Sequence, residues 1–230
     1  LARRAPAART RLPGIVFVRI FYAAEAWFHR LPGPQWLQPA LGGLGTGLIA
    51  YQVPGAGFTG YGDVQEALLG HTSAQLLFVL AALRILTTAC SIGSGGSGGV
   101  FGPSMVIGGC LGGAMGMVFH QAWPALVPNP ASFVIVGMAG FFSGIAHAPI
   151  STVVMVSEMT GNYRLLVPAL WVCVICFLLT QRTSLYRKQV SGWTQSGAHR
   201  HKMLAGLIHD RLVSEVMQSG VVAVAAERGA

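Results

Sequence analysis

Residues 94–105 read SGGSGGVFGPSM, and the reading of this stretch decides the fold. Gly95, Gly96, Gly98 and Gly99 lead into an apolar run whose first turn holds Gly102 and Pro103. Proline suits the start of a helix because its missing N–H would have no partner there. A glycine-rich loop that opens a helix presents unsatisfied backbone N–H groups at the positive end of the helix dipole, which favours an anion. Three readings compete. A phosphate-binding loop would need a following Gly-Lys-Ser/Thr, which is missing, and the preceding segment has the character of a membrane helix. A flexible linker fits the composition, but the glycines sit between two apolar segments, 75–90 and 101–122, that leave no room for a solvated tether. The third reading is an intramembrane anion site, in which backbone amides hold a small anion without a buried cation and still let it leave.

The surrounding composition supports the membrane setting. Of 230 residues 53% are hydrophobic and 10% charged, with a mean hydropathy of +0.58. A soluble domain carries about 25% charged residues, and a disordered chain needs low hydrophobicity with high charge. Both classes are excluded. Charge is confined to the ends: between residues 31 and 180 only Asp63, Glu66, Arg84, Glu158 and Arg164 are ionised at neutral pH. The net +8 therefore sits on two flanks, which places both ends of the chain on the cytoplasmic side by the positive-inside rule. Because the basic residues flank apolar segments and do not line one face, no nucleic-acid partner is expected. Cys90, Cys110, Cys173 and Cys176 all lie in apolar runs and read as small packing residues, the Cys173-x-x-Cys176 spacing included. Gly108, Gly112 and Gly116 form two successive G-x-x-x-G steps, the spacing that lets helix backbones approach closely.

The apolar segments predict helices over 14–31, 36–51, 75–90, 101–122, 132–147, 150–159 and 163–181, with a short amphipathic piece at 63–70 and a break at Ala148-Pro149. Arg19, Glu25 and Arg30 make the first a partly buried or interfacial helix. Few segments reach the roughly 20 residues of a perpendicular span. Short segments broken by Gly and Pro are tolerated in a membrane only where the break is buried or lines an aqueous cavity. Residues 191–206 read as a polar cytoplasmic linker. Beyond them a short helix over Asp210–Met217 and a strand over Val221–Val224 are expected, too little for an independent core.

The succession of motifs resembles the CLC family of chloride channels and chloride/proton exchangers. GSGGSGGVFGPSM (93–105) is similar to the G-x-F-x-P signature of that family. So are ALRILTTACSIGSGG (82–96), GMAGFFSGIAHAPISTVVMVSEMTGNYRLLVPAL (137–170) and the Gly60-Tyr-Gly loop. The resemblance covers about residues 15–190. It implies an all-α polytopic membrane protein with the inverted-repeat CLC fold, built of short, broken, tilted helices, of which mainly the second repeat is present. It implies that chloride is held near the midplane by the backbone amides of Val100 and Phe101, with Gly98, Gly99, Gly102 and Pro103 shaping the loop. A second contact is implied at the Tyr186 hydroxyl, since a phenol offers an O–H donor without a full charge; the alternative is an interfacial aromatic-belt residue beside basic neighbours. Glu158 and Arg84 match structural positions, and His147, at the helix break, is given no role. Val213-Ser-Glu-Val-Met217 followed by Val221-Val-Ala-Val224 resembles the opening of a cystathionine-β-synthase (CBS) module, which implies adenine nucleotide as a ligand once such a module is complete.

The resulting organisation is a transmembrane domain over 1–190, a linker over 191–206 and a CBS start over 207–230. The first half of the family pattern, with its GSGIP-like and G-x-E-G-P-like segments, does not occur, and the chain begins Leu-Ala-Arg-Arg without a Met. The expectation is therefore the C-terminal half of a transporter that does not conduct alone. No metal, cofactor or enzymatic constellation is expected. The expected partners are chloride, the bilayer of a bacterial inner membrane and a second copy of the protein. The competing functions are a carrier of another small anion, nitrate or fluoride, on the same scaffold, and a non-conducting scaffold that senses nucleotide.

Overall fold

The computed structural model describes residues 13–34, 36–57 and 59–186. The chain divides into a unit spanning Leu1–Leu185 and a second spanning Tyr186–Ala230, and of the second only Tyr186 is described. The linker at 191–206 and the CBS start at 207–230 lie outside the described residues. All regular elements among the described residues are helical: α1 (Pro13–Phe28), α2 (Leu37–Gln52), α3 (Tyr61–Leu69), α4 (Ala74–Gly93), α5 (Phe101–Ala122), α6 (Ala131–Ala146), α7 (Pro149–Thr160) and α8 (Leu166–Thr180). One-turn 3-10 helices at Pro54–Ala56 and Tyr163–Leu165 join them. Three stretches, Ala74–Gly93, Phe101–Ala122 and Tyr163–Thr180, are long and apolar enough to cross a bilayer.

α5 is the centre of the first unit, packed against α3, α4 and α6. Every residue from Ser104 to Cys110 is buried, and Met105, Val106, Ile107 and Cys110 join one apolar cluster with Phe17 of α1, Leu77 of α4 and Met138 of α6. The G-x-x-x-G steps do what their spacing predicts. A Cβ placed at Gly108 would lie 2.5 Å from the Gly137 carbonyl oxygen, and one at Gly112 would lie 2.1 Å from that of Phe133. With no side chain between them, the α5 and α6 backbones touch directly, and dispersion contacts replace a hydrophobic drive that lipid cannot supply. The cysteines are free thiols, Cys110 and Cys173 fully buried, as packing residues should be.

Helix ends follow the punctuation. His147 caps α6 in the left-handed region, with φ 59°, and is the sole non-glycine with positive φ among the described residues. Its N–H bonds the Ser143 carbonyl at 3.0 Å, and its Nε2 lies 3.2 Å from the Thr180 carbonyl oxygen. Pro149 then opens α7 at a position where its missing N–H is harmless. α6 and α8 are tied by Ser143 Oγ donating to the Cys173 carbonyl at 3.0 Å and by Thr180 Oγ1 donating to that of Gly144.

Three boundaries differ from the sequence reading by three residues, the first being α8, which begins at Leu166 behind the 3-10 turn at Tyr163–Leu165. α1 ends at Phe28, three residues short, and exposes Arg19 while half-burying Glu25, so it is partly buried as expected. α4 runs three residues further, to Gly93. There a Cβ would already meet α1 backbone at 3.4 Å, so tertiary packing carries the helix into the first residues of what reads as loop.

Candidate anion site

The glycine loop delivers the chain to the start of α5, where Val100 is the helix cap and carries no capping side chain. Ser104 N–H donates to the Val100 carbonyl at 3.1 Å, and the Ser104 hydroxyl donates to the same oxygen at 2.6 Å. Pro103 removes one N–H from the turn. The amides of Val100, Phe101 and Gly102 donate to no backbone carbonyl among the described residues. They form the cluster of orphan donors that every uncapped helix start leaves, and here no side chain competes for them. The Phe101 ring is held edge-on against Phe142 of α6, with centroids 4.9 Å apart at 89°. That contact packs the first side chain of α5 against α6.

Val100, Phe101, Gly102 and Pro103 are half-buried, whereas Gly98 and Gly99 are exposed. A Cβ at Gly99 would meet nothing within 4 Å, so the absence of a side chain there is not a packing requirement of this unit. At Gly102 a Cβ would come 3.3 Å from the Tyr61 phenolic oxygen. Tyr61 opens α3, directly after Gly60 in the left-handed region with φ 78°, so α3 abuts the first turn of α5. The structure thus brings Val100, Phe101, Gly102, Pro103, Gly98 and Gly99 together. Tyr186 belongs to the second unit and is 41% exposed.

Arg84 sits in the middle of α4 and is 2% exposed. Its guanidinium donates to Asp63 Oδ2 at 3.2 Å and to the Gly55 carbonyl. A Cβ at Gly60 would collide with that guanidinium, so the left-handed glycine also makes room for the ion pair. The internal partner that accommodates Arg84 is therefore Asp63. Glu158 is exposed near the end of α7 and accepts the Tyr163 phenol at 2.9 Å. Each of the two ionised side chains thus has a hydrogen-bonding partner inside the first unit. Sequence reasoning missed Asp63 and Tyr61. The spacing of 21 residues between Asp63 and Arg84 carries no periodic signal, and only the proximity of a lone acid and a lone base in an apolar stretch hints at it.

A polar cavity of about 190 Å³ lies beside the loop, lined in part by Arg84, Thr87, Thr88, Gly98, Gly99 and Pro103. Val100 and Phe101 do not line it.

Comparison with known proteins places this geometry. Residues 11–181 match the family model described as voltage gated chloride channel. The chain is 36% identical over 157 residues to chloride channel protein CLC-f of Arabidopsis thaliana, covering 60% of this chain and 20% of that protein. It is 32% identical over 173 residues to the H(+)/Cl(-) exchange transporter ClcA of Salmonella paratyphi A, covering 73% of this chain and 36% of the relative. Its fold is similar to the crystal structure of a slow cyanobacterial Cl−/H+ antiporter, with a TM-score of 0.63 at 28% identity over 74% of this chain and 40% of that one. The chain spans between about a fifth and two fifths of the length of these proteins. Several short apolar helices around a capless, glycine-led helix start, read together with these matches, make the chain a membrane protein of the voltage-gated chloride channel (CLC) family.

Proposed function

We propose that the full-length protein moves chloride across a membrane, passively or in exchange for protons, and that the amides of Val100 and Phe101 together with the Tyr186 hydroxyl hold the ion. The observation that carries this reading is the start of α5, where Val100, Phe101 and Gly102 keep their N–H groups without backbone acceptors at the positive end of a 22-residue helix. Such a site attracts an anion through fixed dipoles. It holds the ion weakly enough to release it, which conduction requires. Gly98, Gly99, Gly102 and Pro103 shape the approach, and the exposed Gly98 and Gly99 leave the backbone open to a close-lying ion.

The same reading gives a homodimer in a bacterial inner membrane, with both ends of this chain cytoplasmic. The tail begins a CBS module that takes adenine nucleotide when complete.

Two variants of the full-length protein test the site. Tyr186→Phe removes one donor to the ion and should weaken chloride binding by about tenfold in calorimetry, the scale of a hydrogen bond to a charged group. Unchanged affinity would remove Tyr186 from the site. Gly99→Val adds a branched side chain where nothing lies within 4 Å, so it should fold normally yet slow chloride flux into vesicles. Wild-type flux from that variant would count against the amide site. The alternative small anions are tested in the same vesicles by flux with nitrate or fluoride.

A further inference from the structure

We propose that Tyr22 of α1 is a positioning residue for Tyr186: its phenol holds the Leu185 carbonyl, and the peptide plane fixed in this way sets where Tyr186 begins. The inference rests on the chloride reading, in which the Tyr186 hydroxyl reaches the ion, and adds the group that aims it. Three observations carry it.

The first is the backbone that leads to Tyr186. α8 ends at Thr180, and residues 181–186 lie in neither helix nor strand, so no regular ladder of hydrogen bonds orders them. Bonds to distant elements hold Leu185, the last residue of the first unit, in their place. Its N–H donates to the Ile145 carbonyl at 3.0 Å, in the last turn of α6. Its carbonyl accepts the Tyr22 hydroxyl across 163 residues of sequence. Its side chain is 5% exposed and belongs to the apolar cluster. Leu185 is thus gripped by its amide, its side chain and its carbonyl, and the grip on the carbonyl is supplied by Tyr22.

The second is the chemistry of the peptide bond. The Leu185 carbonyl shares one rigid plane with the nitrogen and Cα of Tyr186. A bond that orients this carbonyl therefore orients the first atoms of Tyr186. The phenolic oxygen stands at the far end of a stiff ring, so a small turn of the plane is magnified there. Hydrogen bonds from a hydroxyl tolerate a spread of only about 0.5 Å in length, which makes the aim of the ring matter.

The third is the choice of residue. α1 buries Phe17, Phe21 and Phe28, and the half-buried Tyr22 ring packs edge-on against Phe21, with centroids 5.6 Å apart at 86°. Phenylalanine would serve that packing equally well. The hydroxyl is what sets Tyr22 apart from these neighbours, and its bond goes to the residue that precedes Tyr186.

Chloride calorimetry on the full-length protein tests the assignment. Tyr22→Phe keeps the ring and removes the bond, and should weaken chloride binding about fivefold, the scale of re-ordering one freed side chain on binding. Combined with Tyr186→Phe, it should bind no more weakly than Tyr186→Phe alone, because the hydroxyl it aims is already gone. Tyr163→Phe, which loses the phenolic bond to Glu158, should bind chloride as the wild type does. Additive losses would overturn this inference alone, since a merely structural bond weakens both backgrounds equally. Wild-type affinity in Tyr22→Phe beside a weakened Tyr186→Phe would do the same. Loss of folded protein in Tyr22→Phe would also overturn it, because the bond would then serve the fold and not the aim of Tyr186. Unchanged affinity in Tyr186→Phe itself would overturn the ligand role of Tyr186 together with this inference.

Discussion

Gly112→Val should abolish recovery of folded protein. The added Cβ would stand 2.1 Å from the Phe133 carbonyl oxygen and 2.9 Å from the Gly137 Cα. Both obstacles are backbone atoms of α6, so no rotamer change relieves them. Overpacking a core costs about 1–3 kcal/mol when side chains can give way, and here α5 and α6 themselves must separate, which should cost more than about 3 kcal/mol. Separation would also expose the reciprocal contact, since a Cβ at Gly137 would lie 2.5 Å from the Gly108 carbonyl. Gly43→Ala is the control, because a Cβ on Gly43 of α2 meets nothing within 4 Å and should leave the protein unchanged or stabilise it by up to about 1 kcal/mol through helix propensity. Size-exclusion chromatography of the full-length protein in mild detergent reads both. A monodisperse peak of wild-type yield from Gly112→Val would refute the backbone contact.

Asp63→Ala should cost about 3 kcal/mol, and Arg84→Met less. Removing one partner of a buried pair costs about 3–5 kcal/mol because the other charge stays behind in a poor medium. The lower end applies because the Asp63 side chain is 25% accessible while that of Arg84 is only 3% accessible. Arg84→Met removes the charge that needs solvating and keeps much of the packing volume. The double variant should therefore be more stable than Asp63→Ala alone, with an interaction energy of at least about 1 kcal/mol in a double-mutant cycle. Thermal unfolding in detergent gives the three values. Simple additivity would mean that the 3.2 Å contact carries no coupling.

Much of the helical layout was legible because each break coincides with a residue whose backbone chemistry forces it. Gly161 ends α7 in the left-handed region, Pro149 begins that helix, and Gly108, Gly112 and Gly116 announce a contact between backbones. The free amides at the start of α5 were legible for the same reason, since Pro103 in the first turn and glycines before Val100 leave no capping side chain there. What the chain did not disclose depends on partners distant in sequence. The last turn of α4 exists because Gly93 packs on α1. The Asp63–Arg84 pair joins α3 to α4 across a loop, and the cavity beside Thr88 takes walls from α2, α4 and the glycine loop. No local period encodes such meetings.

α5 carries two extremes of amide within four turns. Its first N–H groups have no backbone acceptor, while those from Ser104 to Cys110 are buried and lie in regular helix. In deuterated water these should label in opposite limits, the first rapidly and the second only on global unfolding. Protection at Val100–Gly102 that rises with halide concentration, against an unchanging deuterium count further along the helix, would turn the start of α5 into its own occupancy gauge.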